Sequence, residues 1–126
     1  MKHILFIDNK KTPAIIPGIL TAAGFAVDVA HGSENGLQFL DGDNFDLIIT
    51  VENPDAESWL YCQQIRNQTA KPLIVISTNA STETCVQAIN AGADFFLRKP
   101  FGALELLARV NALLQRSSRK VISSVS

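Results

Sequence analysis

Short apolar runs alternate along the chain with segments whose apolar residues lie three or four positions apart. The runs are rich in Ile, Val, Leu and Phe, and they cover residues 4–7, 25–29, 47–51, 73–76 and 95–97. Continuous apolar runs of this length are typical of strands that are covered on both faces. The pattern therefore predicts five buried strands.

The segments between these runs have the spacing of amphipathic helices. Residues 33–40 predict the second helix, and a segment around Trp59 predicts the third. Residues 82–91 predict the fourth helix, with Ser81 as its N-cap and Gly92 as its C-terminal stop.

The first predicted helix contains prolines, whereas the last has a clear amphipathic pattern. Pro13 suits a first helical turn, but Pro17 is expected to remove a hydrogen bond or to kink the first helix. In the last helix, Glu105 and Arg109 lie away from an apolar face. That face is predicted to contain Leu104, Leu107, Val110 and Leu114.

Five strands that alternate with five helices predict an α/β fold. Parallel strands joined by right-handed crossovers place helices on both faces of the sheet, which gives a three-layer α/β/α sandwich. We expect one domain over residues 1–116, and a flexible tail or the start of a linker to an output domain over residues 117–126. In open sheets of this kind, the functional crevice lies beyond the carboxyl ends of the strands.

Composition excludes several classes of function. Of the 126 residues, 47% are hydrophobic and 18% are charged, and the formal net charge is −1. Without a basic excess, we expect no direct binding of nucleic acid and no membrane contact by this domain. No apolar run approaches the roughly 20 residues that span a bilayer, so we expect a cytoplasmic protein. No nucleophile–base order and no glycine-rich phosphate loop is found, so we expect no enzyme.

Five stretches together resemble one known family over about residues 2–116. They are HILFID at 3–8, FDLII at 45–49, PLIVIS at 72–77, AGADFFLRKPF at 91–101 and ELLARV at 105–110. In this order and at this spacing, they resemble the receiver domains of bacterial response regulators, and the last stretch resembles the OmpR/PhoB-type subfamily. The resemblance implies the flavodoxin-like (CheY-like) fold, with a parallel sheet in the order 2-1-3-4-5.

The resemblance also implies a phosphorylation pocket. In the family, an acidic pair and a strand-three aspartate bind Mg²⁺, and that aspartate accepts a phosphoryl group. Asp8 matches the first acidic position, and Asn9 stands at the second, where the family usually has an aspartate. Ser77 matches the hydroxyl position, and Lys99 matches the lysine, with a cis peptide bond to Pro100 as in the family.

The phosphoacceptor aspartate is missing from the matched positions. Counting forward from Asp46 places Val51 at the acceptor position, whereas counting back from Pro54 places Thr50 there. The two counts differ because the loop is one residue shorter than usual. Glu52 is the nearest carboxylate, either as a solvated loop residue or as a permanent stand-in for the phosphorylated state.

These substitutions predict a degenerate pocket. Divalent hard cations prefer several carboxylate oxygens, and Asp8 beside the neutral Asn9 leaves about one charge. We expect no cofactor, and weak or absent Mg²⁺ binding. The leading hypothesis is a pseudo-receiver that acts without phosphorylation. The alternatives are a domain still phosphorylated at Thr50 or Glu52, and a purely structural scaffold domain.

An output face follows from the same resemblance. Ser77 and Phe96 stand at the switch positions, although Phe96 lacks the hydroxyl of a tyrosine. The fourth helix, fifth strand and fifth helix form the face that OmpR/PhoB-type receivers use to dimerise. Here Asn90, Phe95 and Arg109 stand on it, which predicts contact with a protein partner or a second copy. DNA would be reached only through an output domain at the C-terminal side.

Overall fold

The computed structural model describes residues 2–8, 15–40, 44–52, 56–77 and 81–123, and in these ranges strands and helices alternate along the chain. The strands are β1 His3–Asp8, β2 Ala26–His31, β3 Leu47–Val51, β4 Leu73–Ser77 and β5 Phe95–Arg98. The helices are α1 Ile15–Ala22, α2 Ser33–Leu40, α3 Ala56–Gln68, α4 Thr82–Asn90 and α5 Ala103–Ser123. Each predicted strand and helix is present.

All strand pairs are parallel, and the order across the sheet is β2-β1-β3-β4-β5. Apolar side chains alternate between the two faces, as the period of a strand requires. One face packs against α2, α3 and α4, and the other packs against α1 and α5. The predicted three-layer sandwich and its strand order are therefore confirmed.

The buried stripe of α5 differs from the predicted one. Leu104 is 83% exposed, whereas Leu106 and Leu113 are buried together with Val110 and Leu114. These buried positions are spaced four, three and one apart, so they form one helical face against the sheet. Including Leu104 in the apolar face was wrong, because it lies in the first turn and points away from that stripe.

Pro17 does not break the first helix. The described part of α1, Ile15–Ala22, continues as a helix through Pro17. Pro13 lies outside the described residues.

The ends of α4 are those that the sequence predicts. The Ser81 hydroxyl accepts a hydrogen bond from the Thr84 backbone N–H at 3.1 Å, which makes Ser81 the N-cap. Gly92 follows the helix with φ of 118°, a conformation that side chains with a Cβ rarely adopt. At the other end of the domain, α5 continues past the predicted boundary at residue 116 to Ser123.

Within the described ranges, no helix combines the length and the apolar character that crossing a bilayer would need.

Candidate functional site

The carboxyl ends of four parallel strands bring the predicted pocket residues to one edge of the sheet. Asp8 ends β1, Val51 ends β3 and Ser77 ends β4, while Lys99 directly follows β5. The strand register sets Asp8 beside Val51, and Val51 beside Ile76. The backbone N–H of Lys99 donates to the Ser77 carbonyl at 3.0 Å. The predicted residues are therefore neighbours in the fold.

The two possible acceptor positions lie on opposite faces of the sheet. Val51 packs in the apolar layer beneath α1 and α5, and it is 1% exposed. Thr50 is fully buried, and strand alternation turns it to the face of Ile48, which packs against α2, α3 and α4. The register therefore places Val51, and not Thr50, beside Asp8.

Glu52 is buried as well, with an exposed fraction of 2%. Its backbone N–H donates to the Ile76 carbonyl at 2.9 Å, so contact with β4 continues one residue beyond β3. Its carboxylate accepts a hydrogen bond from the Thr50 hydroxyl. The expectation of a solvated loop carboxylate is therefore wrong, because the chain is still strand-like at Glu52 and turns its side chain inward.

The charge of Glu52 affects the pKa of a cysteine on α3. Burial and, to a lesser extent, the nearby Glu52 carboxylate together raise the pKa of the Cys62 thiol from its ordinary value of 9.0 to about 12. Both causes disfavour the thiolate. Cys62 also belongs to the core layer on the α3 face of the sheet. Thr50 and Glu52 are thus directed towards α3, which the sequence did not indicate.

The remaining pocket residues show how far the crevice is preserved. Asp8 and Ser77 are buried, and Lys99 is partly exposed. The Lys99–Pro100 peptide bond is cis, as predicted. Asn9 and Pro54 lie outside the described residues. Within the described ranges, no group of three or more His, Cys, Asp or Glu side chains could hold a metal ion.

Two of the three predicted output residues, Phe95 and Arg109, contact each other. Asn90 is exposed at the end of α4, and Phe95 is partly buried at the start of β5. Arg109 is exposed on α5, and its guanidinium carbon lies 4.5 Å from the centroid of the Phe95 ring. This distance is that of a cation–π contact. Phe96, at the switch position, is buried on the opposite side of β5 against the α3 layer.

Sequence reasoning missed two apolar residues on α4. Val86 and Ile89 are 50% and 43% exposed, and a spacing of three puts them on the same side of the helix. Contiguous exposed apolar area, and not a single exposed aliphatic side chain, is the feature that marks an interaction surface. The signal was present in the sequence, but it could not be separated from the buried positions of α4 without knowing which side meets the sheet.

Comparison with known proteins agrees with this fold. A family model for the response regulator receiver domain matches residues 4–111. The transcriptional regulatory protein CusR of Escherichia coli K12 is 36% identical over 126 residues, which covers 98% of this chain and 56% of CusR. HprR of the same organism is 32% identical over 117 residues, covering 92% of this chain and 52% of HprR.

Solved structures lead to the same assignment. A two-component response regulator from Clostridium difficile superposes with a TM-score of 0.84 at 28% identity, covering 93% of this chain and 98% of that one. The chain spans about half the length of the curated relatives it matches. The family model, these relatives and the strand order agree, so the chain belongs to the response regulator receiver domains of two-component systems, with their CheY-like fold.

Proposed function

We propose that this receiver domain is a pseudo-receiver, which transmits a signal by protein contact and without phosphorylation of its own chain. The observation that carries the proposal is the buried hydrogen bond from the Thr50 hydroxyl to the Glu52 carboxylate. The carboxylate that directly follows the usual acceptor position in the chain is thereby occupied within the domain.

The low solvent exposure of the possible acceptor residues also supports a domain that is not phosphorylated. A phosphoacceptor must approach the phosphorus of its donor with correct alignment, so its oxygen has to be reachable from the crevice. Thr50, Val51 and Glu52 are each 2% exposed or less. The side chain of Val51 has no nucleophilic atom, and the Thr50 hydroxyl donates a hydrogen bond to the Glu52 carboxylate on the α3 side.

Metal binding is proposed to be weak for a related reason. A hard divalent cation gains its affinity from several converging oxygen ligands, and charged oxygens contribute most. Asp8 supplies a carboxylate at the end of β1, but its neighbour on β3 is Val51. The carboxylate of Glu52 is held by Thr50 on the other face. This donor set does not fit a resident Mg²⁺, and no step of the proposed function uses one.

The proposed contact surface is the face of α4, β5 and α5 that contains Asn90, Phe95 and Arg109. Its partner is a second copy of the chain or another protein. The exposed pair Val86 and Ile89 on α4 supports this choice because it adds apolar area to the same helix. Removal of such area from water favours association of protein surfaces.

The names of the relatives suggest the kind of protein in which this domain works. CusR is named a transcriptional regulatory protein, and this chain corresponds to 56% of its length. We infer that the domain works in the cytoplasm as part of a regulator, and that DNA is bound by an attached output domain. The near-neutral charge of this domain supports indirect action, since direct DNA binding relies on a basic surface.

The test is incubation of the chain with acetyl phosphate and Mg²⁺, followed by intact-mass measurement. We expect no gain of phosphoryl mass, while a receiver with an intact acceptor aspartate gains it in the same reaction. Asn9→Asp alone is expected to leave the result unchanged, because it restores a metal ligand and not an acceptor. A phosphoryl group mapped to Thr50 or Glu52 would show that the domain is a working phosphoacceptor.

A further inference from the structure

Glu52 is a carboxylate placed where the fold has to compensate for its burial. Removing a charged group from water is costly unless hydrogen bonds replace its hydration. The chain provides one such bond locally, from the Thr50 hydroxyl to the carboxylate. The Glu52 backbone N–H in turn donates to the Ile76 carbonyl at 2.9 Å. Glu52 is thereby hydrogen-bonded to Thr50 through its side chain and to β4 through its backbone.

Thr50 and Glu52 lie on the side of the sheet that faces the α3 layer. Thr50 faces the layer that contains Cys62, and the charge of Glu52 helps to raise the pKa of that thiol. Trp59 lies one turn before Cys62 and packs against the same layer. Its indole N–H donates to the Gln87 side chain at 3.0 Å, which joins α3 to α4. Thr50, Cys62 and the Trp59–Gln87 contact therefore lie on the same side of the sheet.

We propose that the Thr50–Glu52 hydrogen bond is a built-in lock that holds the Glu52 carboxylate on the α3 side of the sheet and keeps the end of β3 in one conformation without a phosphoryl group. The inference rests on the proposed function, because a domain with an acceptor would need to change conformation there. A ligand shifts an equilibrium only by its difference in affinity for two states. The Glu52 carboxylate is a hydrogen-bond acceptor within the chain and is always present, so it stabilises one state permanently.

Removal of the hydroxyl from Thr50 tests the lock. Thr50→Val keeps the branched shape and loses the donor, whereas Thr50→Ser keeps the donor. In the full chain we expect Thr50→Val to raise hydrogen exchange at the end of β3 and in α3 by about tenfold or more, the effect of losing a hydrogen bond to a charged group. The indole N–H resonance of Trp59, the single tryptophan, is expected to shift. Thr50→Ser should restore both signals.

Thr21→Val is the matched control, because Thr21 is exposed on α1. It should leave exchange at β3 and the Trp59 resonance unchanged. A uniform rise in exchange over the whole sheet in Thr50→Val would mean lost stability only, and it would overturn the lock. Unchanged exchange at β3 and α3, with an unshifted Trp59 resonance, would overturn it as well.

Glu52→Gln provides a second route if Thr50→Val does not fold. It removes the charge and keeps a side-chain oxygen that can accept from Thr50. We expect a smaller rise in exchange, confined to the same residues, and a shifted Trp59 resonance; signals identical to the native chain would refute the lock. Intact-mass measurement after acetyl phosphate treatment of the native chain reports on the proposed function separately, so the two can fail independently.

Discussion

The guanidinium group of Arg109 covers the ring of Phe95, with 4.5 Å between the guanidinium carbon and the ring centroid. The contact joins α5 to the start of β5, so the two residues form one surface element and not two independent ones. A planar cation over an aromatic face combines charge with apolar area. Such a combination is common among the residues that dominate protein interfaces.

The first prediction concerns this pair. Phe95→Asp or Arg109→Ala should weaken self-association, or binding of a partner, by at least about fivefold, because truncation of a central contact costs more than about 1 kcal/mol. Sedimentation velocity over a concentration series measures the effect. Arg116→Ala is the control, since Arg116 is also exposed on α5. Thr50→Ala and Ser77→Ala should change association little, and the reverse order of sensitivity would favour a working phosphoacceptor site.

The second prediction concerns ligands of the crevice. Beryllium fluoride, which mimics the acyl phosphate of this family, should cause no saturable shift of amide resonances around Asp8 and Lys99 when added with Mg²⁺. The reason is the absence of an acceptor carboxylate beside Asp8, where Val51 stands. Nuclear magnetic resonance titration gives the measurement. Saturation at sub-millimolar ligand would contradict the proposed weak site.

The third prediction is a loss of stability at high pH through Cys62. The folded-state pKa of about 12 exceeds the ordinary 9.0, so the folded state holds the thiol proton more tightly than the unfolded state. This stabilisation is complete below about pH 9 and is lost as pH rises from 9 towards 12, at roughly 1.4 kcal/mol per pH unit. Urea unfolding from pH 8 to 10.5 measures the slope. Cys62→Ala should remove this component, and an unchanged slope in that variant would refute the assignment.

The fourth prediction concerns Arg66 and Asp94 at the opposite edge of the sheet. One Asp94 carboxylate oxygen accepts from the Leu73 backbone N–H and from Arg66, each at 2.8 Å. Arg66 also donates to the carbonyl groups of Thr69, Lys71 and Gly92. These bonds join the end of α3, the start of β4 and the turn after α4. Asp94 lies in the AGADFF stretch, whose role at this edge was not evident from the sequence.

Asp94→Ala should therefore lower the free energy of unfolding by about 1–3 kcal/mol, because a backbone donor and a cation lose their acceptor. Urea denaturation measures the change. The matched control is Asp28→Ala, which breaks the partly exposed pair with His3 at 2.9 Å. Exposed pairs contribute about 0–1 kcal/mol, so the control should be milder. Equal losses in the two variants would contradict the structural role of Asp94.

The fifth prediction compares two helical glycines. A Cβ added to Gly36 in α2 would clash with the Tyr61 hydroxyl and lie 2.7 Å from the Ile7 Cδ1 atom, whereas one added to Gly18 in α1 would meet nothing within 4 Å. Gly36→Ala should destabilise the domain by about 1–3 kcal/mol through overpacking. Gly18→Ala should stabilise it by about 0.5–1 kcal/mol through helix propensity. Thermal unfolding gives both values, and a stabilising Gly36→Ala would contradict the close packing of α2.

The sequence by itself was sufficient for the layers and the ends of α4, whereas the strand order also needed the family resemblance. Apolar runs such as 47–51 specify buried strands because burial on both faces leaves no polar positions. Ser81 and Gly92 specify helix ends by local chemistry, which acts within one turn of the chain. These features depend on neighbours in sequence, or on a pattern repeated along the whole chain, so they can be read without knowing the fold.

Only the tertiary structure decided the direction and the exposure of single side chains. Glu52 looked like a loop residue, but contact with Ile76 extends the strand and turns the carboxylate towards α3. Leu104 had helical spacing, yet it lies off the side of α5 that packs on the sheet and is left in solvent. Both outcomes depend on where a second element lies in space. Residues distant in sequence set that position, and a one-residue change of strand register reverses the face of every side chain.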